Sequence, residues 1–320
     1  MKWKGWSAII AACGGLACLP AWSESYPVKP VRIVVPAAPG GGVDIIARML
    51  AGDLSRSLHQ QFIVENRSPY ISAVDFVAKS PADGYTLTFT TATYLVNSAL
   101  HRDLPYQPLR DFLPVSLVGS TPIIINSHPS LPVTTVKALV ALAKQKPGAL
   151  NFGSGGNGSP LHLAGELFKQ MTHVDIVHVP YKGTAPAAID LLAGQVQLMF
   201  PSVISMYPYI KAGRVRTLAV MGERRSATIP DIPTTVEAGY PGLIAGIWYG
   251  LLAPAATPRP IVEQLHQGVV KAIATSAFKE RLAKDDVEPI GNTPEEFAKF
   301  AEAEFAKWSR IVTAANIRAE

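Results

Sequence analysis

Three glycine-containing loops carry the residue types best suited to hold a small anion. The first loop consists of Ala38, Pro39, Gly40, Gly41 and Gly42. It follows a predicted strand and opens a predicted helix, whose unpaired N–H groups and partial positive charge attract an anion. Glycine also lets the backbone approach a ligand closely, although the same residues would suit an ordinary tight turn. Asp44, in the first turn of that helix, either offsets the helix dipole or binds a ligand amine.

The second loop again joins a strand to a helix, and positions 153–158 have the spacing G-x-G-x-x-G that occurs in dinucleotide-binding proteins. Such a site needs an acidic residue at the end of the next strand, but Asp175 comes at the start of that strand. We therefore predict a helix start that holds a carboxylate. Its predicted ligand contacts are Ser154, Gly155, Asn157, Gly158 and Ser159.

The third loop, residues 180–186, also follows a strand and opens a helix. It brings the phenol of Tyr181, the cation of Lys182 and the hydroxyl of Thr184 beside Gly183. A capped helix with a solvated lysine is the alternative interpretation. Because strand ends from two lobes can converge on one cleft, the three loops together predict a binding site for a small carboxylate.

The sequence contains no arrangement typical of an enzyme or of a metal site. There is no G-x-S-x-G nucleophile motif, and no paired carboxylates are set in a local motif. His162 and Glu166, four residues apart on a predicted helix, could share a metal ion, but a surface side-chain pair is the favoured interpretation. We therefore predict no catalysis, no metal and no cofactor. Trp248 and Tyr249 either line the cleft or pack in the core, and both interpretations stay open.

The elements that must position these loops alternate between short β-branched strands and amphipathic helices, which predicts parallel sheets covered by helices. The predicted strands are 31–35, 61–64, 85–90, 150–153, 174–179, 196–200, 216–220 and 247–252. The predicted helices are 43–58, 71–80, 134–145, 161–172, 185–193 and 207–212, with two more beginning near Pro260 and Pro294.

A longer β-like segment, residues 115–125, is interrupted by Gly119 and Pro122. This pattern predicts a strand that leaves one sheet and joins another. We therefore expect an α/β chain of two lobes with the ligand cleft between them. Lobe 1 is predicted to comprise residues 24–119 and 225–320, and lobe 2 residues 120–224.

Residues 1–23 have the pattern of a secretory signal peptide, since Lys2 and Lys4 precede a short apolar run that is broken by Pro20. Both cysteines lie in this segment, so the mature chain has no thiol for a disulfide or a metal. Charged residues form 17% of the chain and apolar ones 48%, as in a globular protein. The basic residues are scattered, which argues against nucleic acid. We predict an exported protein that does not span the membrane.

Segments along the whole mature chain resemble, in order and spacing, the substrate-binding proteins of tripartite tricarboxylate transporters, the Bug (Bordetella uptake gene) family. These segments are 26–36, 39–44, 64–67, 83–87, 114–118, 151–155, 162–166, 178–183, 191–196 and 248–254. The resemblance implies a periplasmic type II binding protein, or Venus flytrap, with a central, mostly parallel sheet and flanking helices in each lobe. It also implies delivery of a carboxylate to membrane permease subunits.

In such proteins the first loop, the polar residues after the third strand and the second loop form the cleft, which adds Thr91 and Thr93 to the predicted contacts. Two departures from the family pattern fall near the cleft. Residues 68–72 replace a glycine-rich stretch, and Pro201 with Ser202 replaces a position that is often acidic. Ser202 is included among the predicted contacts.

Two other functions remain as alternatives. The chain could present a ligand to a receptor kinase as a sensor partner, or it could be a periplasmic hydrolase. We expect a monomer. Because Pro201 cannot supply the acid that a ligand amine needs, we predict a carboxylate without an amine, with an aromatic or other apolar body as one option.

Overall fold

The computed structural model describes residues 26–37, 39–40, 42–101, 103–284, 286–315 and 317, so the predicted signal peptide lies outside the described residues. The described strands are β1 (Val31–Val35), β2 (Phe62–Asn66), β3 (Thr86–Thr90), β4 (Phe112–Pro122), β5 (Ile124–Ser127), β6 (Asn151–Ser154), β7 (Val177–Pro180), β8 (Leu198–Met199), β9 (Arg216–Val220), β10 (Gly246–Pro254) and β11 (Glu288–Pro289). The described helices are α1 (Gly42–Leu58), α2 (Tyr70–Ala78), α3 (Thr93–Leu100), α4 (Val136–Gln145), α5 (Pro160–Thr172), α6 (Thr184–Leu192), α7 (Val203–Lys211), α8 (Arg259–Ala274), α9 (Ser276–Lys284) and α10 (Pro294–Ala314).

The first sheet has the strand order β11-β4-β10-β3-β1-β2. Strands β1, β2 and β3 run parallel because α1 and α2 carry the chain back between them. Helix α1 buries Ile46, Leu50 and Leu54. We call the part of the molecule that is built on this sheet the first lobe.

The second sheet has the order β7-β6-β8-β5-β9 and forms the second lobe. Strand β6 runs parallel to both β7 and β8. Helices α5, α6 and α7 follow these three strands in turn. Each helix therefore begins close to the carboxyl end of a parallel strand, which is where open α/β sheets bind ligands.

The chain passes between the lobes through hydrogen-bonded extended segments. Strand β4 ends at Pro122 in the first sheet, and β5 begins at Ile124 in the second. Between them, the Ile123 N–H donates to Ala245 O (3.1 Å) and the Met221 N–H donates to Ile123 O (2.7 Å). The predicted strand that changes sheets is thus confirmed. The exact limits of the two lobes stay a prediction.

The predicted two-lobed α/β class is confirmed, but the sheets are mixed rather than mostly parallel. The reason is the double crossing: the returning chain lies beside the outgoing strand in the opposite direction. Strand β10 is therefore antiparallel to β4 and β3, and β5 is antiparallel to β9 and β8. Helix α3 was not predicted, and α7 begins four residues before its predicted start at position 207.

Helix α10 packs against α3 and α5 and so bridges the two lobes. It begins with a capping box, in which the side chains of Thr293 and Glu296 bond each other's backbone N–H. Glu304 on this helix accepts the indole N–H groups of Trp248 (3.2 Å) and Trp308 (2.7 Å). Trp248 is 3% exposed and meets Phe297 edge to face, so it is a core residue.

No helix among the described residues combines the length and the apolar character that crossing a membrane requires.

Candidate ligand-binding cleft

The first loop lies where β1 ends, and an extensive hydrogen-bond network around Asp44 holds it. The Gly40 N–H donates to Asp44 Oδ2 (2.8 Å), and Asn66 Nδ2 donates to Asp44 Oδ1 (2.9 Å) and to Ala37 O (3.1 Å). Arg48 lies one helical turn after Asp44 and contacts both carboxylate oxygens, at 3.1 and 3.0 Å. Asn66 ends β2, so the adjacent strand end helps to shape this loop.

Asp44 is 3% exposed, and its carboxylate accepts hydrogen bonds from Gly40, Arg48 and Asn66. Burial opposes ionisation, but the hydrogen bonds from Arg48, Gly40 and Asn66 outweigh it and lower the pKa of Asp44. The carboxylate is therefore charged and holds the loop. The two network partners Arg48 and Asn66 were missed in the sequence, although the i,i+4 spacing of Asp44 and Arg48 is a recognisable signal.

The polar residues after β3 are placed at the same edge of the first sheet, because β1 and β3 are parallel neighbours. The hydroxyls of Thr91 and Thr93 lie 3.1 Å apart at the start of α3. Just before them, Thr90 Oγ1 lies 2.6 Å from the Tyr70 hydroxyl. Tyr70 thus reaches the strand end from α2. Its burial raises its pKa well above 10, so it stays a neutral phenol.

Tyr249 also belongs to this edge of the first lobe. It is 6% exposed, and a methyl group placed on Gly42 would lie 3.4 Å from its hydroxyl oxygen. Tyr249 therefore packs behind the start of α1, next to the first loop. Ala38 and Gly41 of that loop lie outside the described residues, while Pro39, Gly40 and Gly42 are exposed.

The second and third loops lie side by side at the carboxyl ends of β6 and β7. The Tyr181 N–H donates to Ser154 O (3.1 Å), which continues the strand pairing into the loops. A methyl group on Gly155 would lie 3.5 Å from the Thr184 nitrogen. Gly183, at the N-cap of α6, has a φ of +116° that an L-residue rarely adopts. The structure therefore brings the predicted residues of these two loops together.

Three other predicted ligand contacts, Lys182, Ser159 and Ser202, have distinct local environments. Lys182 is exposed on the third loop. Ser159 is the N-cap of α5 and accepts the His162 N–H, so its hydroxyl serves the helix. Ser202 is the N-cap residue of α7, where its hydroxyl donates to Ser205 Oγ (3.2 Å) and its backbone pairs with Ile123 of the crossing segment.

Behind the second loop, two histidines and a glutamate form a buried cluster. The rings of His162 and His178 are stacked, with centroids 3.6 Å apart and planes inclined by 7°. His162 is 4% exposed and Glu166 is 5% exposed, so the predicted surface pair is wrong. Helical spacing placed the two side chains on one face correctly, but strand β7 beneath and α10 beside α5 cover that face.

This cluster binds the second loop from behind. His178 Nε2 lies 2.6 Å from Ser154 Oγ, which also accepts the Gly156 N–H (3.1 Å). His162 Nδ1 accepts the Gly158 N–H at 3.1 Å. Burial, with contributions from nearby positive charge, lowers the pKa of His162 to about 3 and that of His178 to about 4. Both imidazoles are therefore neutral near pH 7.

The second loop also contacts the first lobe directly. A methyl group added to Gly158 would lie 2.3 Å from Leu100 Cδ1 and 3.8 Å from Val96 Cγ1, both on α3. Gly158 has a φ of +70°. The two lobes therefore meet where the second loop approaches the helix that follows Thr91 and Thr93.

Among the described residues, no group of three or more histidine, cysteine, aspartate or glutamate side chains is arranged so that it could hold a metal ion. The arrangement instead combines helix starts, glycine backbone and hydroxyl groups at the facing edges of two sheets. Such groups can hold a small anion by hydrogen bonds.

Comparisons of this chain with protein families and with individual relatives point to one protein family. The family model of the tripartite tricarboxylate transporter family receptor matches residues 46–317. Protein BugT of Bordetella pertussis strain Tohama I is 35% identical over 308 residues, which cover 95% of this chain and 94% of BugT.

Two solved structures share the fold over their whole length. An R. palustris protein with adipate has a TM-score of 0.80 and 37% identity, covering 92% of this chain and 99% of the other. MatC from Rhodopseudomonas palustris, with bound malate, has a TM-score of 0.77 and 31% identity, covering 90% of this chain and all (100%) of MatC. The predicted resemblance is confirmed, and this chain belongs to the tripartite tricarboxylate transporter receptor family, among its Bug-type solute-binding proteins.

Proposed function

We propose that this chain is exported to the periplasm, captures a small carboxylate between its two lobes and passes it to the membrane subunits of a tripartite transporter. The family match over residues 46–317 carries the proposal. It is supported by the two related structures, whose ligands, adipate and malate, are both dicarboxylates. The family is one of receptors, and we propose that the chain binds its ligand without chemical change.

In this proposal the ligand lies between the strand-end loops of both lobes. One carboxylate is held by the first loop and by the hydroxyls after β3, and the other by the paired second and third loops. The proposed contacts are Ala38, Pro39, Gly40, Gly41, Gly42, Thr91, Thr93, Ser154, Gly155, Asn157, Gly158, Ser159, Lys182, Gly183, Thr184 and Ser202. Asp44 acts indirectly, by holding the first loop.

The ligand we propose carries no ammonium group. A buried ammonium needs a carboxylate partner, since leaving it unpaired costs several kcal/mol. Asp44 is bonded to the first loop through Gly40, and Gly40, Asn66 and Arg48 already occupy its oxygens. Arg48 also balances its charge. Recruiting Asp44 to an amine would therefore break hydrogen bonds that shape the loop.

Isothermal calorimetry tests both parts of the proposal. The refolded mature chain is titrated with malate, succinate, adipate and citrate, then with aspartate and glutamate, and with adipamide as the uncharged control. We expect at least one non-amino carboxylate to bind, and to raise the free energy of unfolding by about 2.7 kcal/mol at 100 times its Kd. Tighter binding of the amino acids would refute the amine-free ligand.

Failure of every carboxylate would refute the capture function as a whole. Where a carboxylate does bind, it is recovered from the same samples and analysed by mass spectrometry. Recovery of the unchanged compound is expected of a receptor, whereas a hydrolysis product would favour an enzyme.

A further inference from the structure

The stacked imidazoles of His162 and His178, which we call the histidine pair, lie directly behind the second loop. His162 is the third residue of α5 and His178 is the second residue of β7, so the loop after β6 ends, and the loop after β7 begins, within a few residues of the pair. The ring of Phe152 on β6 lies 4.9 Å from that of His178 and 6.3 Å from that of His162, between centroids. The pair therefore packs against the aromatic ring of Phe152.

Each imidazole binds a polar group of the loop. The Gly158 N–H donates to His162 Nδ1 (3.1 Å), and Ser154 Oγ lies 2.6 Å from His178 Nε2. Ser154 Oγ also accepts the Gly156 N–H (3.1 Å). Three positions of the second loop are thus held, directly or through one hydroxyl, by the histidine pair.

The hydrogen bonds define the proton positions on His162. Because its Nδ1 accepts the Gly158 N–H, its own proton lies on Nε2, which points toward Glu166 Oε1 at 3.8 Å. Glu166 is in turn paired with Lys169 (2.8 Å), and among the described residues Lys169 is the cation whose charge acts on both histidines. A proton added to His162 Nδ1 would remove the acceptor and break the bond to Gly158.

A purely apolar pair of similar size would leave the Gly158 N–H without its acceptor. It would also leave the Ser154 hydroxyl with only its two bonds to Gly156, as donor to the carbonyl oxygen and acceptor of the N–H. Buried polar side chains are costly unless they are hydrogen-bonded, so the pair is best explained by the groups it holds. The loop that it holds is also the part of the second lobe that touches Leu100 of the first. Its position therefore affects both the ligand and the closing of the cleft.

We propose that His162 and His178 are positioning residues for ligand capture, which hold the second loop in its binding conformation as a stacked, neutral pair. The inference rests on the proposed function, because the loop is taken to be the one that receives the ligand. Neither histidine contacts the ligand in this proposal. Their effect is to order the loop before the ligand arrives, which raises affinity by lowering the cost of ordering on binding.

The test compares variants that keep or remove the hydrogen bond. His162→Asn and His178→Gln place an amide atom near the positions of Nδ1 and Nε2, whereas His162→Leu and His178→Leu do not. Phe168→Leu is the matched control, since Phe168 is fully buried on the same helix and its side chain has no hydrogen-bonding group. Malate and adipate are the probes, measured by calorimetry, with thermal unfolding measured in parallel.

We expect the leucine variants to bind at least tenfold more weakly and the amide variants to stay within about threefold of the unaltered protein. The control should lose thermal stability without losing affinity. Leucine variants that bind normally would overturn the proposal. So would a loss of affinity that is simply proportional to the loss of thermal stability across all five variants.

Two measurements do not depend on the ligand. Amide hydrogen exchange in residues 154–159 should become faster in the leucine variants and stay slow in the amide variants, so unchanged exchange in His162→Leu would contradict the proposal. In the unaltered protein, nitrogen NMR should show a neutral His162 with its proton on Nε2 at pH 7. A doubly protonated ring would overturn the inference even if no variant folds, whereas failure of malate and adipate alone would count against the proposed function.

Discussion

Gly158 should tolerate a side chain poorly, because it lies where the second loop packs against the other lobe. A methyl group at this position would be 2.3 Å from Leu100 Cδ1. Carbon atoms in favourable contact are separated by about 3.5–4.0 Å. In Gly158→Ala, Leu100 must therefore move by more than about 1 Å, or the lobes must separate.

Two costs arise from this substitution, and they can be measured separately. The φ of +70° at Gly158 lies in the left-handed region, where alanine costs roughly 1–2 kcal/mol of stability. That cost applies however the lobes are arranged. The collision adds about 1–2 kcal/mol, the lower part of the range for overpacking in protein cores, because the half-buried Leu100 side chain can partly turn away. It acts only while the lobes are packed as here, so we expect it to weaken ligand binding by about 5- to 30-fold.

Calorimetry with malate or adipate on Gly158→Ala, Leu100→Ala and the double variant measures the collision. Leu100→Ala removes the colliding methyl, so the double variant should regain affinity to within about threefold of Leu100→Ala. The double variant should nevertheless remain less stable than Leu100→Ala, by the roughly 1–2 kcal/mol that alanine costs at the positive φ of position 158. A double variant as weak as Gly158→Ala would show that the loop conformation, and not the contact between lobes, reduces binding. Normal binding by Gly158→Ala would show that the bound state does not have this contact.

Three further predictions concern groups that support the cleft. Asp44→Asn replaces an accepting oxygen by an amide donor. In urea unfolding we expect it to lower the free energy of unfolding by about 2–3 kcal/mol, and we expect it to weaken carboxylate binding. Unchanged stability would contradict the hydrogen-bond network around Asp44. Tyr70→Phe removes the bond to Thr90, so chemical unfolding should show a loss of about 1 kcal/mol, and a gain would contradict the bond. The pKa values of His162 (about 3) and His178 (about 4) lie below the ordinary 6.5, so the unfolded chain binds protons first as the pH falls. The contribution of the two histidines to the free energy of unfolding is therefore fully present above pH 6.5 and is lost toward pH 4, by up to about 1.4 kcal/mol per histidine per pH unit. Urea unfolding measured at a series of pH values should show a shallower decline for a double variant with His162→Asn and His178→Gln.

The sequence alone predicted the elements whose signals are local. Runs of β-branched residues indicated β1, β3 and β9, and the glycine-rich motifs indicated the loops after β1 and β6. The interruption at Gly119 and Pro122 indicated a strand shared by two sheets. Helix α3 was missed because its sequence, TYLVNSAL, contains β-branched and aromatic residues, and its helical form is stabilised by packing on α10, which comes almost two hundred residues later in the chain.

Hydrogen-bonding partners around the cleft could not be predicted in the same way. Asp44 was left with two possible roles, because its sequence position does not show that Asn66, at the end of another strand, reaches its carboxylate. Trp248 was equally open between cleft and core until α10 placed Phe297 and Glu304 against it.

His162 and Glu166 show most clearly what each level of description contributes. Their spacing in the sequence determined that they share one face of α5, because an α-helix repeats every 3.6 residues. Only the tertiary structure decided that this face is covered, since the β7 strand carries His178 beneath it and α10 packs alongside. Burial then turned an expected surface pair into neutral side chains that hold the second loop, because removing a charge from water is costly and an unpaired buried N–H is costly too.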